Sequence, residues 1–123
     1  MPKILIVDDE VDICEMMSFS FDSQGFQTFI AHDAAQAFEI VKDQDPDLVV
    51  SDIRMPKGGG MKLLEDIKKH NQARPKVFLI TGYSDRTREE AIAAGAEDVL
   101  SKPIKLQALI DHVNRALAAY RTA

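Results

Sequence analysis

Cysteine is nearly absent: Cys14 is the sole thiol among 123 residues, so no disulfide can close within the chain. Set in an apolar helical pattern, Cys14 reads as a small buried hydrophobe rather than a reactive group. Positive charge is also scarce, since 15 Lys and Arg against 20 Asp and Glu leave a formal net charge of -5. That balance is the opposite of the basic excess that holds nucleic-acid phosphates or anionic lipid, so direct nucleic-acid binding by this chain is not expected. Long hydrophobic runs are missing. Ile4–Val7 gives way to charge at Asp8, and no basic stretch leads into an apolar core, so no signal peptide or membrane span is read and a cytoplasmic location is the expectation. Repeats, long linkers and low-complexity tracts are lacking. His32, His70 and His112 show no metal-ligand spacing and read as solvated surface residues.

What is present is the mixture of a folded protein: 46% apolar and 28% charged residues in a length suited to one core. A single domain over residues 1–123 is expected, with any output domain outside it. Short β-rich runs occur at Lys3–Val7, Phe26–Ile30, Asp47–Ser51, Lys76–Ile80 and Asp98–Leu100. Four of them are nearly all apolar, as suits strands buried on both faces. Helical stretches lie between them. Gly25 and Gly95 suit left-handed caps at helix ends, Asp33 with Gln36 three positions on suits a helix start, and Ser84 stands ahead of another. In the last segment Leu106, Leu109, Ile110, Val113 and Leu117 share one helical face. Five strand–helix alternations imply an α/β, doubly wound, three-layer parallel sheet, whose ligand site lies beyond the carboxyl ends of the strands.

The residues at those ends carry the chemistry. Asp8-Asp9-Glu10 follows the first run, Asp52 the third, Thr81 the fourth and Lys102 the fifth. Taken singly, each has a plain structural reading: helix-start acids, a turn aspartate, a strand threonine before a glycine, a solvated lysine. Taken together they put carboxylates, a hydroxyl and an ammonium on one rim. Packed carboxylates repel unless a cation sits among them, and an all-oxygen cluster selects a hard ion, with Mg²⁺ the best fit.

The segments Ile4-Leu5-Ile6-Val7-Asp8-Asp9-Glu10, Ser51-Asp52-Ile53-Arg54-Met55-Pro56, Thr81-Gly82 and Ser101-Lys102-Pro103 together resemble the receiver domain of bacterial response regulators, over the whole chain. The resemblance implies a flavodoxin-like sheet of order 2-1-3-4-5 with five helices. It also implies a two-component signalling role, in which Asp52 accepts a phosphoryl group from a sensor histidine kinase or a histidine phosphotransfer protein. Thr81 and Lys102 would be the other catalytic groups. The implied metal ligands are Asp8, Asp9, Asp52 and the Arg54 backbone carbonyl, holding Mg²⁺ with Mn²⁺ or Ca²⁺ as substitutes. The reporting surface would be the fourth helix, fifth strand and fifth helix, with a homodimer as one phosphorylated form. The family also implies a cis bond at Lys102–Pro103. Departures are Val99 for an aromatic, Ile104 for a Phe, and Lys57-Gly58-Gly59-Gly60, read as a mobile turn. Arg54 and Tyr83 are read as slowing self-dephosphorylation. Two other readings compete: a pseudo-receiver that binds proteins without phosphorylation, and a flavodoxin-like nucleotide binder, which the acids after the first strand disfavour.

Overall fold

A computed structural model describes residues 2–55, 59–82, 85–102 and 105–122. The chain runs β1 (Lys3–Val7), α1 (Val11–Ser23), β2 (Gln27–Ala31), α2 (Ala34–Gln44), β3 (Leu48–Asp52), α3 (Gly59–His70), β4 (Lys76–Thr81), α4 (Asp85–Ala93), β5 (Asp98–Ser101) and α5 (Leu106–Thr122). All strand pairings are parallel and the order is β2-β1-β3-β4-β5, as the doubly wound reading requires.

Alternation along the central strands divides the core in two. Ile4, Ile6, Val50, Phe78 and Ile80 face α1 and α5, whereas Leu5, Val7, Val49, Val77 and Leu79 face α2, α3 and α4. Both sets are buried, which is why these strands read as continuous apolar runs.

Helix ends follow local chemistry. At the end of α1, the Gly25 amide donates to Asp22 O and the Phe26 amide to Phe21 O, both near 3.0–3.1 Å. Gly25 adopts φ 91°, and the Phe21 and Phe26 rings meet edge-on at 5.2 Å across the turn. Phe26 therefore belongs to the cap, and β2 begins and ends one residue later than the sequence pattern suggests. Gly95, at φ 111°, closes α4 in the same way. Asp33 caps α2 by accepting from the Gln36 amide at 2.8 Å, but the Gln36 side chain reaches back to the His32 amide rather than to Asp33 itself. Ser84 lies outside the described residues.

β3 and β4 each run one residue further than their apolar pattern. Asp52 pairs with Ile80, and Thr81 with Ser101, because the hydrogen-bonded ladder continues after the apolar residues stop. The last rungs of the sheet thus carry polar side chains.

Candidate functional site

β1 and β3 lie side by side, with Val7 opposite Ser51, so the residues after β1 and at the end of β3 meet at one rim. Asp8 extends the β1–β2 ladder through its amide, which donates to Ala31 O at 3.2 Å. Its carbonyl accepts from the Cys14 thiol at 3.4 Å and lies 3.0 Å from His32 Nδ1. A carbonyl only accepts, so this contact places the imidazole proton on Nδ1. His32 and Cys14 thereby clamp the Asp8 backbone, and the reading of His32 as a plainly solvated residue is corrected: it is half-buried against the acid cluster. Cys14 is fully buried, and burial pushes its thiol up to about 11, consistent with an inert packing residue.

Asp8 and Asp52 are nearly buried, at 5% and 6% exposure, while Asp9 is exposed. One carboxylate oxygen from each of Asp8, Asp9 and Asp52 falls within 4.8 Å of the others, so the chain bends after β1 enough to aim two consecutive aspartates into one crevice. The Asp8 carboxylate accepts from the Glu10 amide at 2.9 Å, and Asp52 Oδ1 from the Arg54 amide at 3.1 Å. Asp8 is raised to about 6, first by burial and then by the charges of Asp52 and Asp9, against the opposing pull of the Glu10 amide.

Lys102 supplies the opposite charge from the end of β5. Its amide donates to Thr81 O at 2.8 Å, which turns the chain back over β4, and its ammonium lies 2.9 Å from Asp52 Oδ2. That hydrogen bond holds the lysine above its ordinary range. Thr81, 2% exposed, ends β4 beside Asp52. The structure therefore brings Asp8, Asp9, Asp52, Thr81 and Lys102 to a single edge. Tyr83, the Lys102–Pro103 bond and Ile104 lie outside the described residues.

Gly59 and Gly60, expected in a mobile turn, instead open α3. Gly60 N donates to Ile53 O at 2.9 Å, and a Cβ there would sit 2.6 Å from the Asp52 carbonyl oxygen. Gly59 has φ 67°, and a Cβ on it would collide with Ile53 O. These glycines let α3 begin directly against the backbone of Asp52, a close approach that the run of three glycines signals only as permissiveness.

A second feature lies across the edge strand. Arg88 of α4 donates to Val99 O at 2.6 Å and pairs with Asp98 at 2.8 Å, and His112 of α5 lies 4.0 Å from Asp98. Val99 itself is buried. Among the described side chains of α4, only Ala91 is buried, and Arg88 adds a polar tie from the helix to β5.

A sheet of this order with an acid cluster, a strand-end threonine and a lysine converging at its switch point is the architecture of a signalling receiver, and the family comparison agrees. Residues 4–114 match the response regulator receiver domain, and this chain belongs to that family as the receiver domain of a two-component response regulator. It is 41% identical over 116 residues to regulatory protein AtoC of Escherichia coli (strain K12), a match covering 94% of this chain and 25% of AtoC. The chain thus spans about a quarter of the length of that curated relative. Among solved structures it is similar to the receiver domain of NtrX from Brucella abortus, with TM-score 0.84, 37% identity and coverage of 94% and 98% of the two chains. A CheY-like receiver domain protein from Methanospirillum hungatei JF-1 superimposes with TM-score 0.92 at 25% identity, over 99% and 98% of the chains.

Proposed function

We propose that Asp52 is the phosphoacceptor and that it takes its phosphoryl group from a phosphohistidine on a sensor histidine kinase or a histidine phosphotransfer protein. The observation that carries this reading is the placement of Asp52: one carboxylate oxygen belongs to a three-aspartate cluster spanning 4.8 Å, and Oδ2 is 2.9 Å from the Lys102 ammonium.

Three close carboxylates, one of them raised to about 6, form a donor set that a hard divalent ion fits. Asp8, Asp9 and Asp52 with the Arg54 carbonyl would hold Mg²⁺, with Mn²⁺ or Ca²⁺ as substitutes. When bound, the ion supplies positive charge to a transferring phosphoryl group. Asp52 provides the nucleophilic oxygen. Lys102 neutralises a phosphoryl oxygen from the side opposite the acids, and the Thr81 hydroxyl donates to another. The chain thereby catalyses its own phosphorylation and dephosphorylation without being a conventional enzyme.

A phosphoryl group adds about -1.5 to -2 charges and three strong acceptors, enough to draw Thr81 and Lys102 inward. The surface of α4, β5 and α5 would report the change, as α4 rests on few apolar side chains. Homodimerisation on that surface, an output domain elsewhere in the protein and a cytoplasmic setting complete the reading; no helix among the described residues is long and apolar enough to cross a membrane.

Incubation with Mg²⁺ and acetyl phosphate, followed by intact-mass measurement, tests the assignment. The expected result is one added phosphoryl group that is absent in Asp52→Asn. No mass gain in the wild-type chain would instead favour a pseudo-receiver acting through protein contacts alone.

A further inference from the structure

A cavity of about 550 Å³ opens between α1 and the start of α5, immediately beside the acid cluster. Asp8, Glu10 and Lys102 give it a charged side, while Ile13, Met16 and Met17 of α1 and Leu106 of α5 form an apolar wall. The volume falls in the roughly 300–1,000 Å³ range typical of small-molecule sites. The wall is adaptable, because two of its members are unbranched methionines that can reshape around different apolar groups. Met16 remains 53% exposed, leaving apolar surface for a ligand to cover.

The position of Lys102 says which ligand suits the cavity. The one cation of that lining is the lysine whose ammonium lies 2.9 Å from Asp52 Oδ2. A molecule whose anionic end pairs with Lys102 beside Asp52 therefore has an apolar surface within reach of its other end. Neither a bare anion nor a simple hydrocarbon uses both parts; an anion with an apolar body does, and beside a phosphoacceptor the fitting anion is a phosphate ester or anhydride.

We propose that this cavity is a leaving-group subsite for small phosphodonors, specifically acyl phosphates whose acyl chain is longer or more branched than acetyl. The inference rests on Asp52 being the phosphoacceptor. In the step, a carboxylate oxygen of Asp52 forms a bond to phosphorus as the bond from phosphorus to the acyl oxygen breaks. The bonding pair departs on that oxygen as a free carboxylate. Reactants and products both carry three negative charges, no proton moves and nothing is oxidised or reduced. The apolar wall holds the departing acyl group while Lys102 stays with the phosphoryl oxygens.

Acetyl and isovaleryl phosphate test this, since their leaving carboxylates have nearly equal basicity and differ in apolar bulk. With Mg²⁺ present and transfer followed by intact mass, the KM for isovaleryl phosphate should be about tenfold lower, the gain expected from partial burial of three extra carbons. In Met16→Glu, at an exposed wall position, the ratio of the two KM values should fall to near one whatever the absolute rates. A binding measurement without transfer supplies a second readout: butylphosphonate should shift the methyl resonances of Met16 and Met17, and methylphosphonate should not. Equal KM values with normal labelling by acetyl phosphate overturn the subsite and leave the role of Asp52 intact. A preference that survives Met16→Glu overturns it as well. Failure of both donors to label the protein removes the phosphoacceptor reading and the subsite together.

Discussion

The ammonium of Lys102 sits 2.9 Å from Oδ2 of Asp52, so the phosphoacceptor candidate is already ion-paired across the sheet edge from β5 to β3. The lysine side chain is 44% exposed while the side chain of Asp52 is only 8% exposed, so the aspartate depends on this partner more than the lysine does. A divalent ion entering the acid cluster must share Asp52 with that ammonium. Lys102→Gln should therefore bind Mg²⁺ more tightly, by about 1 kcal/mol or roughly fivefold after allowing for solvent screening. The same variant should lose most of its phosphoryl transfer from acetyl phosphate. Calorimetric titration with Mg²⁺ beside intact-mass labelling separates the two effects.

Asp8 gives the metal-free protein a pH dependence of definite sign. Its folded value is about 6 against an ordinary 3.8, because burial and the neighbouring charges of Asp52 and Asp9 favour the protonated form. Between those two values the folded state binds more protons than the unfolded one, so stability falls as pH rises from about 4 to about 6 and then levels off. The penalty at neutral pH is on the order of 3 kcal/mol. Thermal unfolding in the presence of a chelator should show this slope, and Asp8→Asn should flatten it and unfold at a higher temperature at pH 7. Saturating Mg²⁺ should reverse the ranking, since the variant gives up a metal ligand.

Gly60 should tolerate no side chain. A Cβ there would meet the Asp52 carbonyl oxygen at 2.6 Å and Ile53 Cα at 3.0 Å, and neither backbone atom can yield without moving the strand end. Gly60→Ala is expected to cost about 1–3 kcal/mol, read as a lower urea midpoint, and to reduce labelling of Asp52 even under conditions where the variant is folded.

Arg88→Ala should loosen α4 from β5. The guanidinium is half exposed, so the equilibrium cost should stay under about 1 kcal/mol. Amide exchange should nevertheless accelerate along α4, where Ala91 is the buried side chain among those described. Unchanged protection in α4 would show that Arg88 contributes nothing to the attachment.

Much of this arrangement is legible in the sequence, for reasons that differ between residues. Leu48-Val49-Val50 announces a strand buried on both faces, and Leu109, Ile110, Val113 and Leu117 announce a helix packed on one side. Asp8, Asp9, Asp52, Thr81 and Lys102 become a candidate site because topology brings strand ends together whatever their separation in the chain. The places where reading stops short share a cause: polar residues can still be rungs of a sheet. Asp52 and Thr81 belong to β3 and β4, but their side chains carry no apolar signal of it. Contacts to main-chain atoms are equally hidden. Nothing in the residue type says that Arg88 reaches Val99 O, that His32 meets Asp8 O, or that the glycines at 59 and 60 abut Ile53 and Asp52. The His32 and Arg88 contacts both require the three-dimensional path of a neighbouring backbone.

The pairing of Asp52 with Ile80, continued by the Ile53 amide donating to Ile80 O at 2.9 Å, has a mechanical corollary. A side chain rooted in the middle of a five-stranded sheet cannot dissipate new charge by shifting its own main chain, because neighbours on either side share the load. Were Asp52 phosphorylated as proposed, the strain would be expected at an edge of the sheet, where β5 has a single neighbouring strand and Arg88 ties α4 to it. On that reading the centre of the sheet would hold firm while its edge yields, and that difference would give a message its direction of travel.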